Sequence, residues 1–413
     1  MTGQMSDAAV FSEPSRGLIP DELLRTCISC GFCLAACPTY QDTRREASSP
    51  RGRINLMRAL EGGALDSEDV REELSFCLGC RACETVCPAG VKYGSLLEHA
   101  RDAIGPARDP KLRALLFSVR TRRRTRLAGT VLRAGQVLRL TRVAPTRSLR
   151  QTGAAAPRIE RERRRRLPEW SGPEDGERVE LFLGCVGHVM FSPAAHATAE
   201  VLAAAGYRVH VPQAQGCCGA LHGHNGSLAE ARELAATFIR SFGPGDAPVV
   251  STAGGCGAFM VDYGHVLSTP EGASFGARVR DVTTLLAGRE LPVRDDLPAL
   301  RVAYQDSCHL RNGQKVTAEP RALLRSLPGV ELVELPHADR CCGAAGTYAL
   351  MRPEDSLRFL GVKMDEITSA QVDVIASGNT GCLLQFRQGV RQAGLGDVRV
   401  LHTIELVRER LSI

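Results

Sequence analysis

The chain has 413 residues, enough for two or three domains, with 44% hydrophobic residues and a formal net charge of +6. It contains no run of about 18 apolar residues, which excludes a membrane-spanning helix, and no glycine-rich nucleotide-binding motif, so we expect no flavin on this chain. The segment 1–26 carries four acids and no apolar core, so no secretory signal is expected. The 16 cysteines are therefore predicted to be metal ligands in a reducing cytoplasm rather than disulfides.

Two cysteine runs near the N-terminus share one spacing. Residues 1–26 are expected to form a loose arm that ends in a short helix near Leu23. The first run occupies Cys27–Pro38 and the second Cys77–Pro88, and both follow the pattern C-x2-C-x2-C-x3-C-P. Bacterial ferredoxins bind two [4Fe-4S] clusters with this spacing, the fourth cysteine of each run binding the neighbouring cluster. The sequence therefore predicts two clusters close together.

The predicted ligands follow from that crossing. The first cluster takes Cys27, Cys30, Cys33 and Cys87, and the second takes Cys77, Cys80, Cys83 and Cys37. Structural zinc is the alternative, but a zinc site needs four ligands and usually draws them from two C-x2-C pairs. Eight cysteines in two identical runs therefore favour clusters.

A helix is predicted between the two runs. The segment Ser48–Leu60 begins with Ser-Ser-Pro, a helix start, and continues as an amphipathic sequence. Arg51 and Arg53 flank a glycine at this start. Two interpretations remain open: these arginines neutralise the negative charge of the clusters, or they are solvated residues of the outer helix face.

The basic charge of the chain is concentrated in one segment. Residues 101–166 contain 20 arginine and lysine residues and four acids, so this segment carries +16 and the remainder −10. Between Lys111 and Leu140, leucine and valine recur at helical spacing among arginines, which is typical of a basic amphipathic helix on an anionic membrane surface or an acidic partner. No DNA- or RNA-binding motif is present, so nucleic acid is not expected as a partner. Residues 141–176, which include four arginines at 163–166, are predicted to be a linker.

The remainder of the chain is an internal duplication of cysteine positions. The first copy contains Cys185, then the step Cys217-Cys218-Gly219, then Cys256. The second copy contains Cys308, then the step Cys341-Cys342-Gly343, then Cys382. Corresponding intervals differ between the copies by only one or two positions, and two nearly equal sets of intervals indicate a repeat.

Each copy is predicted to alternate strands and helices. The predicted strands are 178–184, 207–211 and 247–252, then 301–304, 330–335 and 372–376. The predicted helices begin near Pro193, Ser227 and Cys256, then near Glu319, Pro353 and Cys382. This alternation indicates parallel sheets, and it places every cysteine of this half just beyond the carboxyl end of a strand, where open α/β folds bind ligands.

The adjacent cysteines of each copy do not suit an ordinary zinc site. Two thiols on successive residues are poor geometry for a tetrahedral zinc clamp, but they suit an unusual cluster or a redox-active pair, and the following glycine lets backbone approach sulfur. The alternative is that these thiols are small buried apolar side chains. The predicted further iron-sulfur, zinc or redox site comprises Cys185, Cys217, Cys218, Cys256, Cys308, Cys341, Cys342 and Cys382. Candidate ligands or proton carriers near them are His188, His222, His224 and, directly after Cys308, His309.

These motifs together resemble the iron-sulfur subunit of bacterial glycolate oxidase (glycolate dehydrogenase). The resemblance rests on the two cysteine runs and on the segments Ser49–Ile54, Cys308–Arg311, Cys341–Gly346 and Gly381–Gln385, and it extends from about residue 20 to about residue 410. The single motifs also occur in heterodisulfide reductase subunits and in the iron-sulfur subunit of anaerobic glycerol-3-phosphate dehydrogenase. Their order and connections favour the glycolate enzyme.

The resemblance implies an electron-transfer subunit of an oxidoreductase complex. FAD-binding subunits would oxidise a 2-hydroxy acid, glycolate to glyoxylate, and this chain would pass the electrons through two [4Fe-4S] clusters to quinone or another acceptor. No catalytic residue is expected on this chain. It is expected in the cytoplasm, on the cytoplasmic face of the inner membrane.

The sequence departs from the heterodisulfide reductases at one position of each repeat. There each repeat ends in C-x-x-C, and five cysteines hold a non-cubane cluster; here the last position is Phe259 or Gln385. This argues against a heterodisulfide-reductase-like catalytic thiol/disulfide subunit. Two more hypotheses stay open: the iron-sulfur subunit of a D-lactate or glycerol-3-phosphate dehydrogenase, and an iron-sulfur redox sensor on nucleic acid.

The predicted fold class is α+β. An N-terminal, α-helical, two-[4Fe-4S] ferredoxin-like domain is expected at 1–110, followed by the basic segment and linker at 111–176. A duplicated α/β cysteine-rich (CCG) domain follows, with repeats at 177–290 and 298–413.

Overall fold

The computed structural model describes residues 16–106, 109–140, 153, 156–161 and 166–413. Most of the predicted N-terminal arm and much of the predicted linker, including Arg163–Arg165, lie outside these residues. The chain divides into two compact units, Met1–Ala107 with His222–Ala229 and Arg108–Leu221 with Glu230–Ile413. The α+β prediction is confirmed, because helices form the described part of the first unit and two sheets lie in the second.

The N-terminal part of the first unit is built from short helices around the two cysteine runs. They are α1 (Asp21–Arg25), α2 (Pro38–Thr43), α3 (Pro50–Glu61), α4 (Ser67–Phe76), α5 (Ala82–Thr85) and α6 (Tyr93–Ile104), with a 3-10 turn at Glu46–Ser48. Helix α3 starts as the sequence predicts, since the Ser49 hydroxyl accepts a hydrogen bond from Gly52 N and Pro50 is its first residue.

The core of the first unit lies between α3, α4 and α6. Met57, Leu60, Leu74 and Leu96 are fully buried there. Helix α4 begins with a capping box in which the Asp66 carboxylate accepts from Asp69 N. Both cysteine runs lead directly into or out of these packed helices, which fixes where their sulfur atoms lie.

The second unit opens with the basic segment, which forms two helices. These are α7 (Pro110–Val119) and α8 (Arg122–Val137). The continuous helical pattern of the sequence is interrupted at Thr121, whose backbone is extended and whose hydroxyl accepts from Arg124 N as the N-cap of α8.

Two sheets follow. The first has the order β1-β3-β2-β4-β5, and its strands are β1 (Trp170–Ser171), β2 (Glu177–Leu181), β3 (Tyr207–His210), β4 (Val249–Ser251) and β5 (Val279–Asp281). The second has the order β7-β6-β8-β9, and its strands are β6 (Leu300–Tyr304), β7 (Val330–Val333), β8 (Val374–Ser377) and β9 (Arg399–His402). All neighbouring strands are parallel except β1, which is antiparallel to β3.

Helices connect and cover these strands. In the first repeat they are α9 (Cys185–Met190), α10 (Ser192–Ala204), α11 (Ala220–Gly223), α12 (Leu228–Phe242), α13 (Gly254–Val261), α14 (Tyr263–Leu267), α15 (Pro270–Arg278) and α16 (Val282–Leu286). In the second they are α17 (Ala318–Arg325), α18 (Tyr348–Met351), α19 (Pro353–Ala370), α20 (Thr380–Gln392) and α21 (Thr403–Glu409), with a π-helical turn at His309–Gly313.

The duplication is also visible in the topology. Strands β3-β2-β4-β5 and β7-β6-β8-β9 occupy equivalent places in the same order. Each of the six predicted strands, and each of the six predicted helices of this half, begins within two residues of its observed start. The sequence did not predict β5 and β9, and it wrongly assigned Trp170–Ser171 to the linker; Trp170 stacks on His210 of β3 with ring centroids 4.3 Å apart.

One hydrophobic core is shared by the two repeats. It contains Val179 and Val209 from the first sheet and Val302 and Val374 from the second, all fully buried. Each repeat has in addition its own core on the far side of its sheet.

A buried histidine also joins the two repeats. His402 Nε2 donates a hydrogen bond of 2.7 Å to the Thr252 carbonyl, and its Nδ1 accepts from Ile404 N at 3.2 Å. Burial lowers the pKa of His402 to about 4, because the ring is almost wholly removed from water. The ring is therefore neutral at neutral pH.

The His402 pKa predicts a pH-dependent contribution to stability. The unfolded chain, with a histidine pKa of about 6.5, binds more protons than the folded chain as the pH falls from 6.5 towards 4. The folded state therefore loses about 2 kcal/mol by pH 5. In denaturant titrations of wild type and His402→Gln, we expect the difference in free energy of unfolding to shrink by this amount between pH 8 and pH 5. A difference that is independent of pH would contradict the assignment.

No helix among the described residues combines the length and the hydropathy required to cross a bilayer.

Candidate metal centres

The first predicted ligand set surrounds one cavity. Cys27, Cys30, Cys33 and Cys87 border a space of about 410 Å³, and Cys83 also reaches its wall. The Cys30 side is exposed. The first predicted set is thus brought together in space.

The second predicted ligand set surrounds a neighbouring cavity. Cys37, Cys77, Cys80 and Cys83 border a space of about 300 Å³. Tyr93 and Pro50 line both cavities. The fourth cysteine of each run therefore lies with the first three cysteines of the other run.

The backbone around these cysteines presents N–H groups to sulfur. Gly79 N donates to Cys77 Sγ at 3.4 Å, and Gly79 has a φ of +59° that a glycine adopts without strain. At Gly31, with a φ of +88°, an added Cβ would lie 2.7 Å from the Arg51 guanidinium. Such turns are suited to a group with negatively charged sulfur atoms.

Arg53 is placed at the second cavity and is fully buried. Its guanidinium donates to the Glu73 carbonyl at 2.7 Å, to the Ser48 carbonyl at 2.7 Å and to Thr39 Oγ1 at 3.0 Å. Burial by itself would lower the pKa of Arg53, but the thiol of Cys77 and other nearby acidic groups raise the pKa overall, so the charge is retained. The interpretation of Arg53 as a solvated residue is therefore wrong.

Arg51 lies at the first cavity and is partly exposed. Its Nη1 donates to the Ser29 carbonyl at 3.2 Å, inside the first cysteine run, and its Nε pairs with Glu46 at 2.7 Å. Each cavity thus has one arginine in its wall. Because an iron-sulfur cluster with four thiolates is anionic, a fixed cation beside each cavity favours such a group.

The thiols of the duplicated half also come together, one set in each repeat. In the first repeat Cys185 Sγ lies 3.7 Å from Cys217 Sγ, and the thiols of Cys217, Cys218 and Cys256 follow in contact. In the second repeat Cys308, Cys341, Cys342 and Cys382 form an equivalent chain of contacts. All lie beyond the carboxyl ends of parallel strands, as the sequence predicted.

The two sets differ in burial and in their electrostatics. Cys185 and Cys256 are partly exposed, whereas all four cysteines of the second set are buried. The hydrogen bond with Cys217 and burial raise the pKa of Cys185. Hydrogen bonds from Cys308 and Cys342 instead lower the pKa of Cys341.

The glycine of each Cys-Cys-Gly step is required by close packing. Gly219 has a φ of +90° and Gly343 a φ of +84°. A Cβ would lie 2.7 Å from the Ala231 carbonyl oxygen at the first position and 2.5 Å from that of Ser356 at the second. These contacts hold the paired cysteines against the helix that follows in each repeat.

The four candidate histidines have different surroundings. His309 Nδ1 lies 3.4 Å from Cys308 Sγ, so only it is shown in contact with a cysteine. His188 shares with Cys185 a cavity of about 380 Å³ that is also lined by Arg122 and Arg126. His224 pairs with Glu98 at 2.8 Å, and His222 is buried.

Among the described residues, no three histidine, cysteine or acidic side chains are arranged around a single metal ion. A cubane cluster is larger than an ion and binds four sulfur atoms at its corners, so it suits cysteines that border a cavity. The two N-terminal sites therefore fit clusters by their size, their four sulfur atoms and their adjacent arginines.

Comparison with known proteins agrees with these observations. Residues 23–91 match the family described as 4Fe-4S dicluster domain. Residues 179–261 and 302–387 each match the family described as cysteine-rich domain.

Relatives cover the whole chain. The probable glycolate oxidase iron-sulfur subunit of Bacillus subtilis (strain 168) is 40% identical over 99% of this chain and 98% of its own length. The chain belongs to the glycolate oxidase iron-sulfur subunit family. The glycolate oxidase iron-sulfur subunit of Escherichia coli (strain K12) is 32% identical over 96% of this chain and 97% of its own. One subunit of the fumarate reductase (CoM/CoB) of Methanothermobacter marburgensis is 28% identical over 93% and 72%.

In this glycolate oxidase iron-sulfur subunit family member, the two positions that lack a fifth cysteine hold structural residues. Phe259 is buried and meets Tyr263 edge-on, with ring centroids 5.9 Å apart. Gln385 Nε2 donates to Ser356 Oγ at 2.8 Å. Neither side chain supplies a thiolate, so each set offers four sulfur atoms.

Sequence reasoning missed the polar residues that contact the cysteines from elsewhere in the chain. Thr39 Oγ1 lies 3.2 Å from Cys37 Sγ, the Tyr93 hydroxyl 3.7 Å from Cys77 Sγ, and Asn379 Nδ2 donates to Cys382 Sγ at 3.4 Å. Asn379 and Thr39 are close to their cysteines in sequence and were open to recognition. No signal pointed to Tyr93.

Proposed function

We propose that this chain is the iron-sulfur electron-transfer subunit of a flavin-dependent complex that oxidises a 2-hydroxy acid, glycolate to glyoxylate. The observation that supports this most is the pair of neighbouring cavities, each bordered by four cysteines in the crossed arrangement. We assign Cys27, Cys30, Cys33 and Cys87 to one [4Fe-4S] cluster and Cys77, Cys80, Cys83 and Cys37 to the other. When bound, the clusters supply one-electron carriers.

The residues around the cavities would set the stability of these carriers. The Arg53 guanidinium keeps a positive charge at the second site, and Arg51 does so at the first. Added negative charge at either site is stabilised by these fixed cations, which are held by hydrogen bonds to the Ser48 and Ser29 carbonyls. The chain thus contributes ligands and electrostatics, and hydride removal belongs to the flavin of a partner subunit.

Electrons would enter at the first cavity. Ile28 and Phe32 line its mouth and are 68% and 69% exposed, and Cys30 is exposed beside them. An apolar rim around an accessible cluster ligand suits a protein partner. We propose that the FAD-binding subunit docks on this rim.

Quinone is proposed as the acceptor, with the protein bound peripherally at the cytoplasmic face of the inner membrane. The support is the basic helix α8, which carries exposed leucine and valine. A lipid-soluble acceptor would then be within reach of a protein that has no membrane-spanning helix in its described residues.

The function is tested in the intact complex. With the flavoprotein subunits present under anaerobic conditions, glycolate is expected to produce the EPR signal of reduced [4Fe-4S] clusters on this chain. Reduction of the flavin without any cluster signal would overturn the proposal.

The duplicated half is proposed to hold a further iron-sulfur or zinc centre in its cysteine sets. If it does, the purified chain contains more than about eight irons, or zinc in addition. The excess is then expected to disappear in a variant with serine at Cys217, Cys218, Cys341 and Cys342. Anaerobic iron, sulfide and zinc analysis measures this, and about eight irons in both proteins would limit this half to a docking or thiol role.

A further inference from the structure

Helix α8 carries its apolar side chains on the outside of the protein. Leu127, Val131 and Leu138 are 65%, 63% and 67% exposed. Their spacing of four and seven residues places them along one face of the helix. Phe117 of α7 is 61% exposed and lies beside this face, because the Arg124 guanidinium stacks over its ring at 3.9 Å.

The opposite face of α8 is packed and polar. Thr125 and Gly129 are buried there. Gln136 Nε2 donates to the Pro157 carbonyl at 2.8 Å, and its Oε1 accepts from Ile159 N at 2.9 Å. The helix is therefore held in this orientation by specific contacts, and burial of its leucines within its own unit does not determine it.

The outer face also carries charge of a single sign. Residues 110–140 contain Lys111 and eight arginines but no acid. Arg123 and Arg124 stand one turn before Leu127, and Arg120 is on the adjoining turn, where it pairs with Glu233 at 3.2 Å. An apolar stripe that is flanked by arginines is complementary to a surface that is apolar inside and negatively charged outside.

We infer that this face, formed by Phe117, Arg123, Arg124, Leu127, Val131 and Leu138, binds the surface of an anionic lipid bilayer. The inference deepens the proposed function and rests on it, since it gives the membrane contact for a lipid-soluble acceptor. Leucine and valine enter the boundary between headgroups and acyl chains, while the arginines contact anionic headgroups. A protein interface is less suited, because interface cores are depleted in charge.

The test is flotation of the cluster-loaded chain with vesicles of phosphatidylethanolamine and phosphatidylglycerol. We expect binding that weakens as salt is raised and that is absent with phosphatidylcholine vesicles. Arg123→Gln with Arg124→Gln is expected to weaken binding about 25-fold, about fivefold for each arginine. Leu127→Ser with Val131→Ser is expected to weaken it at least about tenfold.

Matched control variants separate position from composition. Arg240→Gln removes a charge from exposed α12, and Val362→Ser removes an exposed valine of α19 that is 41% exposed. Both are expected to bind vesicles like wild type. Equal iron content and equal glycolate-dependent reduction of a soluble dye in the intact complex show that the α8 variants are folded.

The outcomes distinguish this inference from the proposed function. Cluster reduction by glycolate without any vesicle binding would overturn only the membrane contact. Loss of the flavoprotein subunits from the α8 variants, with vesicle binding unchanged, would assign this face to a protein partner and overturn the inference. Vesicle binding equally reduced in the control variants would also overturn it.

Discussion

Serine in place of Cys87 is expected to alter the same cluster as serine in place of Cys30. Both residues border the first cavity, although they belong to different runs. In the same way Cys37→Ser and Cys80→Ser should share one effect, since both residues border the second cavity. Each variant is expected to lose about four of about eight irons. Iron analysis and EPR spectra of the four reduced variants measure this.

The pairing of spectra is the decisive result. If ligands cross between runs, the spectrum of Cys87→Ser matches Cys30→Ser and differs from Cys80→Ser. Matching of Cys87→Ser with Cys80→Ser would show that each run holds its own cluster. Serine at Cys382, in the second unit, is the control and should leave both N-terminal signals unchanged.

Methionine at Arg53 is expected to be the most destabilising single change in the first unit. It removes a fully buried guanidinium and leaves the Ser48 carbonyl and the carboxylate of Glu73 without this partner. Breaking a buried charged network by removing one partner costs about 3–5 kcal/mol. Denaturant unfolding of the holo protein measures the loss, and the iron bound at the second cavity should fall with it.

The matched control is Arg45→Met. Arg45 contacts the same carboxylate, with Nη2 3.1 Å from Glu73 Oε1, but its side chain is 68% exposed. Exposed ion pairs contribute less than about 1 kcal/mol. Similar destabilisation by both variants would mean that the burial of Arg53 is not what matters.

The fold was predictable where the signal is local. Strand β2 begins one residue from its prediction because Val179, Leu181 and their neighbours form a short apolar run that ends at a glycine. Strand β9 was missed, since Arg399–His402 carries two polar residues and is a strand only because β8 pairs with it. The division between α7 and α8 was missed for a similar reason, because Thr121 has no strong breaking residue beside it.

The candidate sites follow the same rule. The cysteine spacing by itself proposes the crossed ligand sets, and the structure places their members around two cavities. The burial of Arg53 depends on Glu73 and Ser48, which no short motif contains. The hypothesis that Arg53 is solvated could only be rejected from long-range packing.

The shared core of the two repeats has a consequence for how the cysteine sets behave together. Val179 and Val209 of one sheet are buried with Val302 and Val374 of the other, and His402 is hydrogen-bonded across to Thr252. Neither repeat can open without exposing the core of the other, so the duplicated half is one cooperative unit of unfolding. Evolution could therefore change one thiol set, as the partial exposure of Cys185 and Cys256 illustrates, while the other set continued to depend on the same scaffold.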